Sequence, residues 1–97
     1  MSSEIELSFY IVGRDGRKFG PMEIKAREND YFEDVAKAAA KALKMKYNVP
    51  LSSRVVITDT SFKAISPRKN GEPKTVKEVL EEVRASTFYV VSEDLFG

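Results

Sequence analysis

The chain has 97 residues, of which 42% are hydrophobic and 32% are charged, and its net charge is +1. This length suits one domain around one hydrophobic core. The balanced charge argues against nucleic acid as a partner, because such a partner requires a strongly basic face. The chain has no cysteine and no histidine, which excludes disulfides, thiolate nucleophiles and the commonest general base and metal ligand. Neither a signal peptide nor an apolar run of roughly 20 residues is present, so we expect no membrane segment.

The first two predicted elements are strands of a β-hairpin. Residues 5–12 alternate between apolar and polar side chains, as in a strand with one buried face. Its apolar face consists of Ile5, Leu7, Phe9 and Ile11. Asp15-Gly16 supplies positive φ angles for a tight turn. The inward residues of the second strand are Phe19, Met22, Ile24 and Ala26. Because proline cannot donate to a ladder, Gly20-Pro21 predicts a bulge or an irregular strand start.

Two helices follow, and each is predicted to begin with a capping box. Asp30 and Glu33 have the spacing in which cap and third residue exchange hydrogen bonds. The main helix that they open has an apolar stripe at helical spacing. The stripe consists of Phe32, Val35, Ala36, Ala39 and Leu43. Asn48 and Pro50 predict its end. Thr75 and Glu78 repeat the capping box and open a short second helix.

The remaining segments complete the order of elements. Residues 54–58 are mostly apolar and β-branched, which predicts a central strand under the main helix. We predict a short strand over residues 62–65, a turn over 67–73 and a final strand over 86–91. This order indicates an α+β chain with a mixed sheet, one main helix and one short second helix, in the β-grasp arrangement. In that layout we expect the third strand to lie parallel beside the first. A split βαβ sheet is the main alternative, but it places a helix between its first two strands.

The domain division that we expect is one body over residues 1–91 and a flexible tail over residues 92–97. The tail ends in Gly97. Glycine has no Cβ, so a terminal glycine can enter a slot that excludes other residues. If extended, the six tail residues span roughly 20 Å. These features are typical of proteins that are activated at the C-terminus and joined to another protein.

Several segments carry a resemblance to a known family. Asn29-Asp30-Tyr31-Phe32-Glu33-Asp34-Val35 resembles the start of the main helix in ubiquitin-like proteins in general. The segments of the closer resemblance are Tyr47-Asn48-Val49-Pro50, Val56-Ile57-Thr58-Asp59, Ile65-Ser66-Pro67, Thr75 and the terminal Phe96-Gly97. With these segments the chain resembles the ubiquitin-fold modifier family, the protein tag of ufmylation, which ends in a single exposed glycine. Ubiquitin and the sulfur carriers end in two. The resemblance implies conjugation of Gly97 to lysines of target proteins by activating and conjugating enzymes, after trimming by a processing protease. It also implies a monomer without cofactor in the cytoplasm, and in the nucleus of a eukaryotic cell.

The resemblance further implies a partner-binding groove between the main helix and strand two, where that family accepts an apolar segment of its activating enzyme. The residues expected to bind partners are Met22, Ile24, Lys25, Ala26, Ala36 and Ala40, with Leu95 and Phe96 of the tail. Simple core packing is the alternative interpretation of these positions, above all of Met22 and Ile24. The chain departs from the family in its acidic Glu93-Asp94 and in Glu82, which stands near the place of the chain-building lysine.

Other functions remain open. A non-conjugated binding or adaptor domain is one alternative, and a sulfur carrier with a C-terminal thiocarboxylate is another. Tyr10 and Tyr89 are predicted to face outward on neighbouring strands and to form a binding patch. The lysines of the main helix are interspersed with acidic residues, which is typical of a solvated face. We find no phosphate-binding loop, metal-ligand cluster or carboxylate pair at catalytic spacing, so we expect no enzyme activity.

Overall fold

A computed structural model describes residues 4–50 and 54–93 of the chain, and this part contains two helices and six strands. In chain order they are β1 (Glu4–Val12), β2 (Lys18–Arg27), α1 (Phe32–Tyr47), β3 (Val55–Thr58), β4 (Arg68–Lys69), β5 (Glu72–Pro73), α2 (Val76–Val83) and β6 (Thr87–Ser92). Four strands form a mixed sheet in the order β2-β1-β6-β3, and β4 and β5 form a separate ribbon. The predicted α+β class with one main and one short helix is confirmed, and the arrangement is compatible with a β-grasp fold.

The strand beside β1 is β6, which pairs with β1 in parallel. The prediction that the third strand lies beside β1 is therefore wrong. β3 pairs antiparallel with the other side of β6 and is the last strand of the described sheet. Phe88 and Val90 of β6 are fully buried, whereas Val55 of β3 is 37% exposed. β-branched composition indicates a strand but does not distinguish an edge from a centre, because both accept such side chains.

The β1–β2 hairpin confirms the predicted alternation and the predicted bulge. Leu7, Phe9 and Ile11 are fully buried. The pairing register shifts between Phe9 and Ile11, so that β2 has its extra residue at Gly20-Pro21. In the turn, only Gly16 of the Asp15-Gly16 pair has a positive φ, of 86°. The Gly16 N–H donates to the Gly13 carbonyl oxygen over 3.0 Å, as in a three-residue loop that ends in a left-handed glycine.

The two helix starts differ in their capping. Thr75 and Glu78 form the predicted reciprocal capping box of α2. The predicted box at Asp30 is wrong, because α1 has Tyr31 at its N-cap without a side-chain hydrogen bond. The Asp30 carboxylate instead accepts the Arg27 N–H over 2.8 Å. A short acidic side chain next to a turn competes for such local amides, so it stabilises the turn from β2 rather than the helix start.

The core lies between the helices and one face of the sheet. The Phe88 ring is 5.5 Å from that of Phe9 and 5.0 Å from that of Phe32, measured between centroids. The predicted stripe of α1 faces this core, and the helix ends at Asn48 in the left-handed conformation, as predicted. Among residues 4–50 and 54–93, neither helix is both long enough and apolar enough to cross a membrane.

The segment between β3 and α2 differs from the prediction. Instead of a strand over residues 62–65, the structure has a single bridge between Thr58 and Ala64. The predicted turn over residues 67–73 is a small hairpin, in which Asn70 and Gly71 both have positive φ. Asn-Gly favours such a turn because both residues tolerate the left-handed conformation.

Candidate partner-binding surfaces

Three of the six body residues predicted to line the helix–strand groove are core residues. Ala26, Ala36 and Ala40 are only 3%, 4% and 8% exposed. Their small side chains let α1 lie directly on the sheet, which leaves no channel between α1 and β2 for a partner at these positions. For these alanines the core-packing interpretation is therefore correct.

The other three predicted body residues differ in their environments. Lys25 points to the opposite face of the sheet, because neighbouring residues of a strand alternate. Its Nζ is 4.0 Å from Glu4 Oε2. Met22 is half-buried and packs against the core. Ile24 is also half-buried but lines a surface cavity, so it is the only one of the six predicted body residues that contributes to a groove beside β2.

This cavity, the α1–β2 groove, lies at the start of α1 and has a volume of about 460 Å³. Its lining residues are Ile24, Asn29, Asp30, Tyr31, Asp34, Val35 and Ala38. The Tyr31 side chain is exposed, at 50%, and Asp30 and Asp34 make the groove acidic. β2 is an edge strand of the described sheet. The groove can therefore accept an apolar side chain next to a positive charge, with strand addition to β2.

A second cavity, the α1–β3 groove, lies on the other side of the helix and has a volume of about 280 Å³. Its lining residues are Phe32, Glu33, Ala36, Lys37, Val55, Val56, Ile57, Ile65 and Pro67. This groove was not predicted from the sequence, because β3 was expected in the middle of the sheet. Exposed valines are common at the start of short strands, so Val55 by itself does not predict a groove.

The outer face of the sheet carries an aromatic cluster. Tyr10 and Tyr89 lie opposite each other on β1 and β6, as predicted, with ring centroids 5.9 Å apart. Phe62 adds a third ring, 5.0 Å from Tyr89, and Lys18 Nζ lies 5.6 Å from the centroid of Tyr89. Phe62 is 42% exposed and has a φ of 62°, which is rare for a bulky residue. This conformation could not be predicted from composition, so Phe62 was missed.

The loop that carries Phe62 is fixed by Asp59. One carboxylate oxygen of Asp59 accepts the N–H groups of Ser61 and Lys63 over 2.8 and 3.0 Å. These two main-chain hydrogen bonds hold the loop in one conformation, although it has no helix or strand. The Phe62 ring is thereby placed over the sheet beside Tyr89.

The end of β6 changes the predicted start of the tail. Ser92 is a strand residue with 2% exposure, not part of a tail. The next residue, Glu93, donates its N–H to the Arg54 carbonyl oxygen over 3.1 Å. The predicted tail residues Leu95, Phe96 and Gly97 lie outside the described residues.

Two carboxyl groups have shifted pKa values. Hydrogen bonds from the Thr75 main-chain N–H and hydroxyl lower the pKa of Glu78. A hydrogen bond with the Glu6 carboxyl, together with its negative charge, raises the pKa of Glu23. Both residues are exposed. In the described part of the chain, no group of three or more acidic residues could hold a metal ion.

Glu82, near the place where the resembled family has its chain-building lysine, takes part in an ion pair. Its Oε2 is 2.8 Å from Nζ of Lys74. Lys74 is only 8% exposed, so its amine is poorly placed as a conjugation acceptor. The interaction instead neutralises a nearly buried charge.

Comparison of the chain with protein-family models, with curated proteins and with solved structures gives no match.

Proposed function

We propose that this chain is a ubiquitin-like protein modifier, activated at Gly97 by an ATP-dependent enzyme and joined to lysines of target proteins. The observation that carries the proposal is the position of β6. This last strand lies inside a sheet that is compatible with a β-grasp fold and pairs with β1 and β3. Glu93 follows it at the sheet end, four residues before Gly97. Four extended residues span about 13–14 Å, enough to reach into an enzyme cleft.

In this proposal the partner enzymes perform the chemistry. The Gly97 carboxylate attacks the α-phosphate of ATP and releases pyrophosphate. An enzyme cysteine thiolate then displaces AMP from the acyl adenylate and forms a thioester. After transfer to the cysteine of a conjugating enzyme, a lysine amine of the target displaces the thiolate and forms an isopeptide bond. The chain supplies the acyl group and the surface that the enzymes recognise, in the cytoplasm and, in a eukaryotic cell, in the nucleus.

The surface proposed for the activating enzyme is the α1–β2 groove rather than the alanine-lined channel expected from the sequence. Tyr31 and Ile24 supply apolar area, and the edge of β2 supplies main-chain groups. Asp30 and Asp34 favour an enzyme segment with a lysine or arginine beside its apolar residue.

The experiment is mass spectrometry of conjugates. The chain with an N-terminal tag is expressed in its source cells and purified under denaturing conditions, next to a variant without Gly97. We expect target peptides in which a lysine carries a Gly97 isopeptide, and we expect none from the variant. Recovery of only non-covalent partners, equally with both proteins, would contradict the proposal.

A second candidate function is favoured by the same groove. A non-conjugated adaptor would use the exposed Tyr31 and the open edge of β2 to bind a partner. Such an adaptor would capture the same partners with and without Gly97, and it would lose them when Tyr31 is truncated.

A further inference from the structure

The α1–β3 groove has an apolar floor and one open side. Phe32, Ala36 and Ile65 are nearly buried and form part of the floor, whereas Val55 remains 37% exposed. Apolar side chains of β3 therefore lie at the surface beside a cavity of about 280 Å³. A cavity of this size has room for one or two apolar side chains of a ligand.

The main chain of β3 also has an open side. In an antiparallel pair, successive residues alternate between facing the partner strand and facing away from it. Arg54 faces β6, because its carbonyl oxygen accepts the Glu93 N–H. Ile57 faces away, because its carbonyl oxygen accepts the Ile65 N–H over 2.9 Å. Val55 is two residues before Ile57 and faces the same way, so its N–H and C=O point to the outer edge of the sheet.

The neighbouring segment does not complete this edge. The register that pairs Ile57 with Ile65 would bring Pro67 opposite Val55, but proline has no N–H to donate. The Pro67 carbonyl oxygen already accepts the Lys74 N–H over 2.9 Å. Within residues 4–50 and 54–93, the main-chain groups of Val55 are therefore available to an added strand.

The charge at the rim of the groove is positive. The Glu33 carboxylate is neutralised by the Arg68 guanidinium, with Oε1 at 2.8 Å from one terminal nitrogen. Lys37 lies one turn further along α1 and lines the same groove. No ion pair involves Lys37 in the described part of the chain. This leaves the ammonium of Lys37 as the unneutralised charge next to the apolar floor.

We propose that the α1–β3 groove binds an extended segment of a partner protein, which adds a strand at Val55, places alternate apolar side chains in the groove and directs a carboxylate to Lys37. The alternation follows from strand geometry, in which residues two apart share a face. Main-chain hydrogen bonds supply binding, and the pocket and the charge supply selectivity. The proposal does not depend on Gly97 or on the modifier function.

The test uses two synthetic peptides and fluorescence anisotropy. The acidic peptide is fluorescein-Glu-Ile-Thr-Val-Asp-Asp, and the basic peptide has lysine at each acidic position. We expect saturable binding of the acidic peptide and at least tenfold weaker binding of the basic one. Lys37→Glu should weaken binding of the acidic peptide about tenfold, the scale of a charge-assisted contact. Lys41→Glu is the matched control, because Lys41 lies on the same helix but does not line the groove; we expect less than a threefold change.

Peptide methylation tests the added strand independently of charge. Two versions of the acidic peptide carry one N-methyl group each, on Thr or on the following Val. Because alternate N–H groups face the edge of β3, one version should lose binding and the other should keep it. Equal binding of the acidic and basic peptides, equal effects of the two lysine variants, equal behaviour of the methylated peptides, or no saturable binding would each overturn the proposal.

Discussion

The main-chain N–H of Glu93 donates a hydrogen bond of 3.1 Å to the carbonyl oxygen of Arg54. This contact joins the residue after β6 to the residue before β3. It extends the pairing of the two strands by one position, beyond the pair of Ser92 and Val55. The ordered pairing of β6 therefore continues two residues further than the sequence analysis predicted.

The buried alanines of α1 yield a prediction about stability. Ala40→Leu should lower the free energy of unfolding by about 1–3 kcal/mol, because a side chain three carbons larger overpacks the core around Ala40. Ala38→Leu is the matched control, since Ala38 is exposed on the same helix. Urea unfolding followed by circular dichroism measures both. If Ala40 instead lined an open groove, the two variants would be equally stable.

The capping box of α2 predicts that removal of its hydroxyl lowers the free energy of unfolding. Thr75→Ala removes the hydroxyl that accepts the Glu78 N–H, and such a change typically costs about 1 kcal/mol. Thr60→Ala, in an exposed turn, should change the free energy of unfolding by less than about 0.5 kcal/mol. Chemical denaturation compares the two variants with the parent. Equal stability of the two would show that the box does not contribute.

The lowered pKa of Glu78 predicts a pH dependence of the same helix. Thr75 stabilises the charged form of Glu78 in the folded state. The contribution of these hydrogen bonds to the free energy of unfolding is therefore complete above the unfolded pKa of about 4.3. It is lost as the pH falls through the lower pKa of the folded state. Glu78→Gln should therefore be less stable than the parent at pH 7, with a difference that shrinks by pH 2. A constant difference across that range would contradict the assignment.

The raised pKa of Glu23 predicts the opposite dependence of stability on pH. Glu6 favours the protonated form of Glu23 in the folded state, so the folded chain binds this proton more tightly than the unfolded chain. Stability then decreases as the pH rises from the unfolded pKa of about 4.3 through the folded pKa. Glu23→Gln removes the repulsion and should be more stable than the parent at pH 7. Thermal unfolding at pH 3 and pH 7 tests this, and a loss of stability at pH 7 would exclude it.

The α1–β2 groove predicts that truncation of Tyr31 weakens recognition by the proposed activating enzyme. Under the proposed modifier function, Tyr31→Ala should raise the KM for this chain in thioester formation about tenfold, because loss of a central interface aromatic typically costs more than about 1 kcal/mol. Tyr10→Ala, on the outer face of the sheet, is the control with the same change. ATP-dependent charging of the activating enzyme measures both. Equal KM values for the two variants would place recognition elsewhere.

How far the sequence predicted the fold depends on the range of the interactions. The stripe of α1 and the Thr75–Glu78 box were predicted correctly, because each depends on residues close in sequence. The place of β3 was not, since strand order depends on pairing with β6 more than thirty residues later. Asp30 failed as a cap because it could serve two neighbouring sites, and only the structure shows the choice of the Arg27 N–H.

The candidate surfaces were less predictable than the fold. The pairing of Tyr10 with Tyr89 followed from two correct alternation patterns. The alanines were assigned to a groove by resemblance, but their burial depends on how closely α1 approaches the sheet. Lys25 was assigned to the same groove by resemblance, although strand alternation places it on the opposite face of the sheet. The α1–β3 groove arises from neighbours that are distant in sequence, such as Lys37 and Val55. The α1–β2 groove is lined by residues 24–38 alone, but its shape depends on how α1 packs beside β2.

The most direct test of the modifier function is thioester formation by the chain without Gly97. The parent and the deletion variant are incubated with ATP and a lysate of the source cells, then separated without reducing agent. We predict a thiol-sensitive adduct for the parent and none for the variant, with thermal midpoints within about 1 °C of each other because the deleted glycine has no side chain. Equal charging of the deletion variant, or no adduct with either protein, would contradict the account.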